Sequence, residues 1–319
     1  MKKFILIALL FLFPQTIFAQ GYYFSYEGRA SFFTEQDLIT ELPDGLDADL
    51  DNSYSQKFGG GFYFGDGFDL AIFYARTKSQ SNNAKPNLIG ATTYRNKDID
   101  LELGYNFKIK DVKLRVMGGL RHKNAQQTIT NTYFLSEVFD EDGDIIEPHI
   151  TEDILETYIQ KMNGFGPRLG LSVVKDIGGT NFSVTGAVNW SMSFLKRHEH
   201  DLANLTENEY ASNLASADDH DVEHTHDLIT TEKFIPYEEF ARYDSKAYSL
   251  DLEAGLQYDW KLTKTASLLL NMGYRYDIQY NIISAFLPTL DGKSDFDNTY
   301  YFNENVINHG PFFRGTLRF

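Results

Sequence analysis

Charged residues recur at every second position along several stretches of the chain, with apolar residues between them. Asp98, Asp100 and Glu102 alternate with Ile99, Leu101 and Leu103, and Lys113, Arg115, Arg121 and Lys123 flank Leu114, Val116 and Leu120. A period of two places the charges of one stretch on one face of a strand. On the inner face of a closed sheet such charges could set the selectivity of a polar passage. Paired with one another, they would only satisfy buried charge. The candidate set is Arg29, Lys57, Asp98, Asp100, Glu102, Lys113, Arg115, Arg121, Arg168, Asp251, Glu253, Arg275, Asp277, Arg314 and Arg318, with Glu27, Asp69, Lys123 and Asp259 on the same faces. The two signs nearly cancel. A hairpin at 108–111 would set Asp98 opposite Arg121 and Glu102 diagonal to Arg115.

Two further groups have metal-ligating chemistry. Asp140, Asp142 and Asp144 alternate like the opening of a calcium loop, but Ile145 stands where that loop needs glycine and Thr151 where it needs Glu. A tight turn at Asp142-Gly143 accounts for the same residues and is the expectation. His198, His200, His220, His224 and His226 lie among Asp218, Asp219, Asp221, Glu223 and Asp227. His220 and His224, four apart, could share a helix face and bind zinc, although the spacing matches no established zinc motif. No Gly-x-Ser-x-Gly or His-Glu-x-x-His occurs, and no Asp and His pairing of an outer-rim protease is readable from the spacing. Catalysis is therefore not expected, and no cofactor is needed.

The elements that must position these charges are strands. Alternation of apolar and polar residues marks ten segments: 22–33, 54–64, 68–78, 95–107, 112–123, 163–174, 182–195, 247–260, 266–280 and the stretch ending at Phe319. In the last, Pro311, Phe313, Gly315, Leu317 and Phe319 share one face, and Phe312, Arg314, Thr316 and Arg318 the other. Such faces, finished by a terminal Phe, look like the closing strand of an outer-membrane barrel, with hydrocarbon outside and a polar interior. Short connections at 65–67, 108–111, 175–180 and 261–265 alternate with long ones at 35–52, 80–92, 131–157, 197–245 and 281–304, the pattern of tight periplasmic turns and long outer loops. Aromatic residues next to the short turns, Phe64, Phe68, Phe107, Phe182, Tyr258, Trp260 and Phe319, are placed for a girdle at the membrane boundary. Hydrocarbon tolerates no open sheet edge, so the first and last strands must join.

Composition narrows the function classes. The formal net charge is −16, yet 131–157 and 197–245 carry more than all of it, so the acid belongs to two outer connections and not to the body. No basic patch stands out, which excludes nucleic acid as a partner. There is no cysteine, so disulfides and Cys-based zinc chemistry are absent. Met1-Lys2-Lys3, the uncharged run from Phe4 to Phe13 and Ala19 before Gln20 describe a secretory signal peptide at 1–19, leaving 20–319 as one barrel domain. The run is too short to span a bilayer as a helix, which takes roughly 20 residues.

Four stretches resemble the Legionella major outer membrane protein family: Phe58-Gly59-Gly60-Gly61-Phe62-Tyr63-Phe64 running into Asp69-Leu70-Ala71-Ile72-Phe73-Tyr74; Lys113-Leu114-Arg115-Val116-Met117-Gly118-Gly119-Leu120-Arg121; Gly164-Phe165-Gly166-Pro167-Arg168-Leu169-Gly170-Leu171; and His309-Gly310-Pro311-Phe312-Phe313-Arg314. The last two are the most specific, because Gly-Pro before an alternating strand is unusual. The resemblance implies a pore-forming protein of the outer membrane and no catalytic residues. The chain departs from family members that cross-link through cysteine.

The expected fold is an all-β, antiparallel up-and-down transmembrane β-barrel of ten strands, with eight or twelve as alternatives, in the outer membrane of a Gram-negative bacterium. The expected function is passive diffusion of small polar solutes or ions through the lumen. The alternative is a non-conducting adhesin or structural protein acting through its outer loops. Expected partners are outer-membrane lipid and lipopolysaccharide, with further copies of the chain and host surfaces as candidates.

Overall fold

The computed structural model describes residues 19–35, 53–85, 88–136, 149–212, 226–287 and 300–319. Ten strands occupy them: β1 (Ala19–Glu35), β2 (Ser53–Phe64), β3 (Phe68–Lys85), β4 (Leu88–Ile109), β5 (Val112–Ser136), β6 (His149–Asp176), β7 (Phe182–Ser212), β8 (His226–Lys261), β9 (Ser267–Leu287) and β10 (Tyr300–Arg318). Each pairs antiparallel with its sequence neighbours, and β1 pairs with β10, so the sheet closes on itself. Tyr22 and Phe319 exchange backbone hydrogen bonds at that seam, Phe319 N donating to Tyr22 O at 2.9 Å and Tyr22 N to Phe319 O at 3.3 Å. Closure leaves no edge strand to offer unpaired groups to lipid.

The alternation read from the sequence is the alternation of the wall. On β4, Asp100 and Glu102 are 2% and 3% exposed, while Leu101 and Leu103, which alternate with them, are 43% and 49% exposed. Charged side chains are inside and apolar ones outside, the reverse of a water-soluble domain. The outer face stays apolar around the ring, as with Phe24, Ile72, Leu120, Leu169, Val188, Leu252, Met272 and Phe313. An apolar surface this continuous requires hydrocarbon around it.

The predicted strands are all present but extend further than expected. The connections expected at 80–92, 131–157 and 197–245 are largely strand: β3 and β4 continue to Lys85 and from Leu88, β5 and β6 to Ser136 and from His149, β7 and β8 to Ser212 and from His226. Beyond the lipid both faces of a ribbon meet water, so hydropathy no longer alternates although the ladder hydrogen bonds continue. Register also differs. Asp100 lies opposite Arg121 and Asp98 opposite Lys123, two residues from the expected pairing. The β4–β5 turn is tighter than 108–111 implied: Ile109 pairs with Val112, and Lys110 takes a left-handed backbone (φ 53°).

The Gly166-Pro167 pair shapes the wall next to the lumen. β6 and β7 pair from Asp176 up to Arg168 and again from Phe165, skipping these two residues. Proline has no N–H for the ladder, and a Cβ on Gly166 would collide with the Met192 carbonyl oxygen. This local break comes just before Arg168, which points into the barrel and is 2% exposed.

Candidate functional site

The lumen is the site, and it is built in layers. Nearest the short turns, which are periplasmic in this topology, lies a cavity of about 800 Å³. Its deep end is formed by Glu27, Lys57, Glu102, Arg115, Arg168, Arg275 and Arg314, and its mouth by Lys108, Lys113, Asp176, Lys261 and Arg318.

At the deep end of the cavity and above it the charges pair. Asp100 accepts from Arg121 Nε at 2.7 Å and Nη2 at 3.1 Å, and from Arg168 Nη1. Asp251 lies 3.6 Å from Arg121, 3.3 Å from Arg275 and 4.0 Å from Arg168. Glu102 accepts from Arg115 at 3.2 Å. Asp69 accepts from Arg115 Nη2 at 2.7 Å and from Asn106 at 2.6 Å. Glu27 binds Arg275 at 3.1 Å and Arg314 at 2.8 Å, and Arg314 also reaches Glu253 at 2.9 Å. Arg168 on β6 and Asp251 on β8 are separated by one strand, as are Arg275 on β9 and Glu27 on β1, and Arg121 on β5 reaches Asp251 past two strands. These pairs therefore join strands that share no ladder hydrogen bonds. Removing charges from water costs several kcal/mol per ion, and close, hydrogen-bonded pairing is what offsets that cost.

Higher still, Lys123 donates to Gln279 at 2.8 Å and lies 3.6 Å from Asp98, and Arg29 lies 4.0 Å from Asp277. Next comes an apolar layer of Tyr94, Ala125, Met162, Leu195, Ala247 and Val306, with Phe33 against it. Toward the outer end, Arg197 donates to the carbonyl of Asn281 and to Ser245 Oγ at 2.6 Å, and Glu199 accepts from Gln160 at 2.7 Å and Tyr243 at 2.5 Å. Asn281 adopts φ 55° where β9 and β10 slip register, which turns its carbonyl to Arg197.

Most of the candidate charges lie in this interior. Lys113 and Arg318 do not reach the paired layer. Lys113 is on the periplasmic rim, its side chain 55% exposed and 3.0 Å from Asp176, because the tight β4–β5 turn puts it near the end of the wall. Arg318 is exposed at the same mouth. The girdle candidates near β2–β4 form a ladder of rings. Phe64 stacks on Phe68 at 5.9 Å, Phe68 packs on Tyr105 at 4.8 Å and Tyr105 on Phe107 at 5.8 Å. Phe182 packs on Tyr258 at 4.9 Å, and Trp260 and Phe319 are exposed.

Asp140, Asp142, Asp144, His220 and His224 lie outside the described residues, as does nearly all of the segment read as a signal peptide. Among the described residues, no group of three metal-ligating side chains converges. His200 instead stacks on Phe240 at 4.2 Å. The apolar layer and the Arg197–Glu199 layer were missed from the sequence. Ser191, Ser193, Leu195, Arg197 and Glu199 continue one inward period across what read as the start of a loop, and that period was the available signal.

A family model described as Legionella pneumophila major outer membrane protein precursor matches residues 5–319, nearly the whole chain. The chain belongs to the Legionella major outer membrane protein family. This member of the family is accordingly a protein of the bacterial outer membrane. No curated protein matches it. Among solved structures, the outer membrane protease OmpT from Escherichia coli is 11% identical with a TM-score of 0.39, the match covering 96% of this chain and 99% of that one. A major outer membrane protein from Thermus thermophilus is 11% identical with a TM-score of 0.32, covering 93% and 99%. A Pseudomonas aeruginosa FadL homologue is 7% identical with a TM-score of 0.23, covering 94% and 89%.

Proposed function

We propose that this family member is a structural, surface-presenting barrel whose lumen is closed at mid-height in the resting state. Arg168 carries the reading. It is fully buried at the barrel centre, and its guanidinium reaches Asp100 on β4 and Asp251 on β8 together. The apolar layer around Tyr94 and Met162 lies above it. Small barrels are commonly filled by their own side chains, and ten strands is near that end of the range. The outer ends of β7 and β8, strands of 31 and 36 residues, run far past the 9–11 or so needed to cross a bilayer. Those ends are the surface offered to the outside, including host surfaces, and lipid and lipopolysaccharide contact the wall. The role needs no catalytic group and no cofactor, and the signal peptide at 1–19 would direct export.

A second reading, passive diffusion of small polar solutes or ions, is favoured by the cavity that already opens the periplasmic half. It requires the ion-paired layer to part, with Arg115, Arg121 and their carboxylates then setting selectivity. Swelling of proteoliposomes in small sugars separates the two. The closed reading predicts no swelling above empty liposomes, and swelling that depends on protein dose would favour diffusion.

A further inference from the structure

The periplasmic cavity contains a cation without a counter-charge. Register sets Lys57 of β2 directly opposite Glu27 of β1. A cross-strand Glu and Lys would normally pair. Here both Glu27 oxygens are taken by arginines, Oε1 by Arg275 at 3.1 Å and Oε2 by Arg314 at 2.8 Å. The other carboxylates of the cavity wall at this depth are also engaged, Glu102 by Arg115 at 3.2 Å and Glu253 by Arg314 at 2.9 Å. Lys57 makes no ion pair with any described residue, and its ammonium rests over the Phe73 ring, 4.7 Å from the centroid.

The mouth of the same cavity is basic. Lys108, Lys113, Lys261 and Arg318 line it against Asp176 and Asp259. Asp176 is already engaged by Lys113 at 3.0 Å. An anion approaching from the periplasm therefore meets net positive charge at the rim and an uncompensated ammonium inside. Between them, Asn271 and Asn189 offer neutral amide groups on the cavity wall. The volume, about 800 Å³, is that of a small-molecule pocket, and low-dielectric walls concentrate the field of the cations along it.

We propose that this vestibule is a binding site for a compact polyanion bearing carboxylate or phosphate groups, taken from the periplasmic side, with Lys57 as its inner anchor. Bound anion supplies the charge that Glu27 cannot give Lys57. Binding is independent of conduction, since the site lies on the periplasmic side of the ion-paired layer and is reached without opening it.

Calorimetric titration of the purified full-length chain in nanodiscs at low ionic strength tests this, using citrate and pyrophosphate in separate runs and glucose as the uncharged control. The expected result is saturable one-to-one binding of at least one anion, none of glucose, and weakening by added salt. Lys57→Met should weaken it by about tenfold or more, the loss of one charge-assisted contact. Exposed Lys261 and Arg318 can be changed without touching the paired interior. The double variant K261Q/R318Q should bind several-fold more weakly and with a shallower salt dependence. No saturable binding of either anion would overturn the proposal. So would unchanged affinity in a folded Lys57→Met protein, or, should that variant not fold, unchanged affinity in K261Q/R318Q.

Discussion

Asp100 and Arg121 stand directly opposite each other on β4 and β5, and the guanidinium holds both carboxylate oxygens, Nε at 2.7 Å and Nη2 at 3.1 Å. Asp100 is at the same time the partner of Arg168 from β6. One carboxylate thus compensates two buried cations on two strands. Removing it leaves both arginines short of charge in a water-poor interior.

Asp100→Asn should destabilise the barrel by about 3–5 kcal/mol, the cost of breaking a buried pair by removing one partner. Urea unfolding in lipid vesicles, followed by fluorescence of Trp190 and Trp260, measures it. A loss well under about 1 kcal/mol, the worth of an exposed pair, would mean that water already reaches this layer.

Removing both members of a pair has a different consequence. The double variant D100S/R168S deletes opposite charges and the large Arg168 side chain from the closed layer while Arg121 keeps Asp251. The lumen should become more permeable, with swelling in small sugars that the native protein lacks. Folding should survive better than in Asp100→Asn, and gel mobility with and without heating reports on that.

The outer wall gives an independent test of what surrounds the barrel. Leu101 and Leu120 face each other across β4 and β5 on the exposed side. Leu120→Arg should cost about 2–4 kcal/mol near the bilayer midplane. The same substitution would be nearly neutral if this face met water.

Gly104 illustrates how tightly the interior is fitted. A Cβ there would collide with Asp69 Oδ2 and lie 2.6 Å from Arg115 Nε. Gly104→Ala should displace the Arg115–Asp69 pair and cost about 1–3 kcal/mol, as overpacking does. Unchanged unfolding in vesicles would contradict it.

At the seam, Phe24 and Phe319 pack edge to face, with ring centroids 6.4 Å apart. Phe319→Ala should lose about 0.5–1.5 kcal/mol from the ring pair and leave the backbone bonds to Tyr22 in place. Unfolding in vesicles measures the difference.

The wall was legible because lipid and lumen impose opposite chemistry on alternate residues, as Asp100 and Leu101 show. The partners across the lumen were not. Lys123 on β5 and Gln279 on β9 are 156 residues apart, and nothing local to either specifies the other. Register was two residues off at β4–β5 because Lys110 takes a left-handed turn position without the Gly or Asn that normally marks one. Arg197 and Glu199 were hidden by their surroundings. Beyond the lipid the outward face is polar as well, so the strand lost its hydropathy contrast and read as loop. The apolar layer of Tyr94, Met162 and Leu195 went unseen for a related reason, since an apolar residue on the inward face breaks the pattern used to recognise that face.

Recording from the native chain in a planar lipid bilayer tests the closed lumen most directly. The account predicts a quiet membrane at moderate voltage with native protein, and current only when the Asp100–Arg168 layer is removed. Regular unitary conductance steps from the native protein would contradict it.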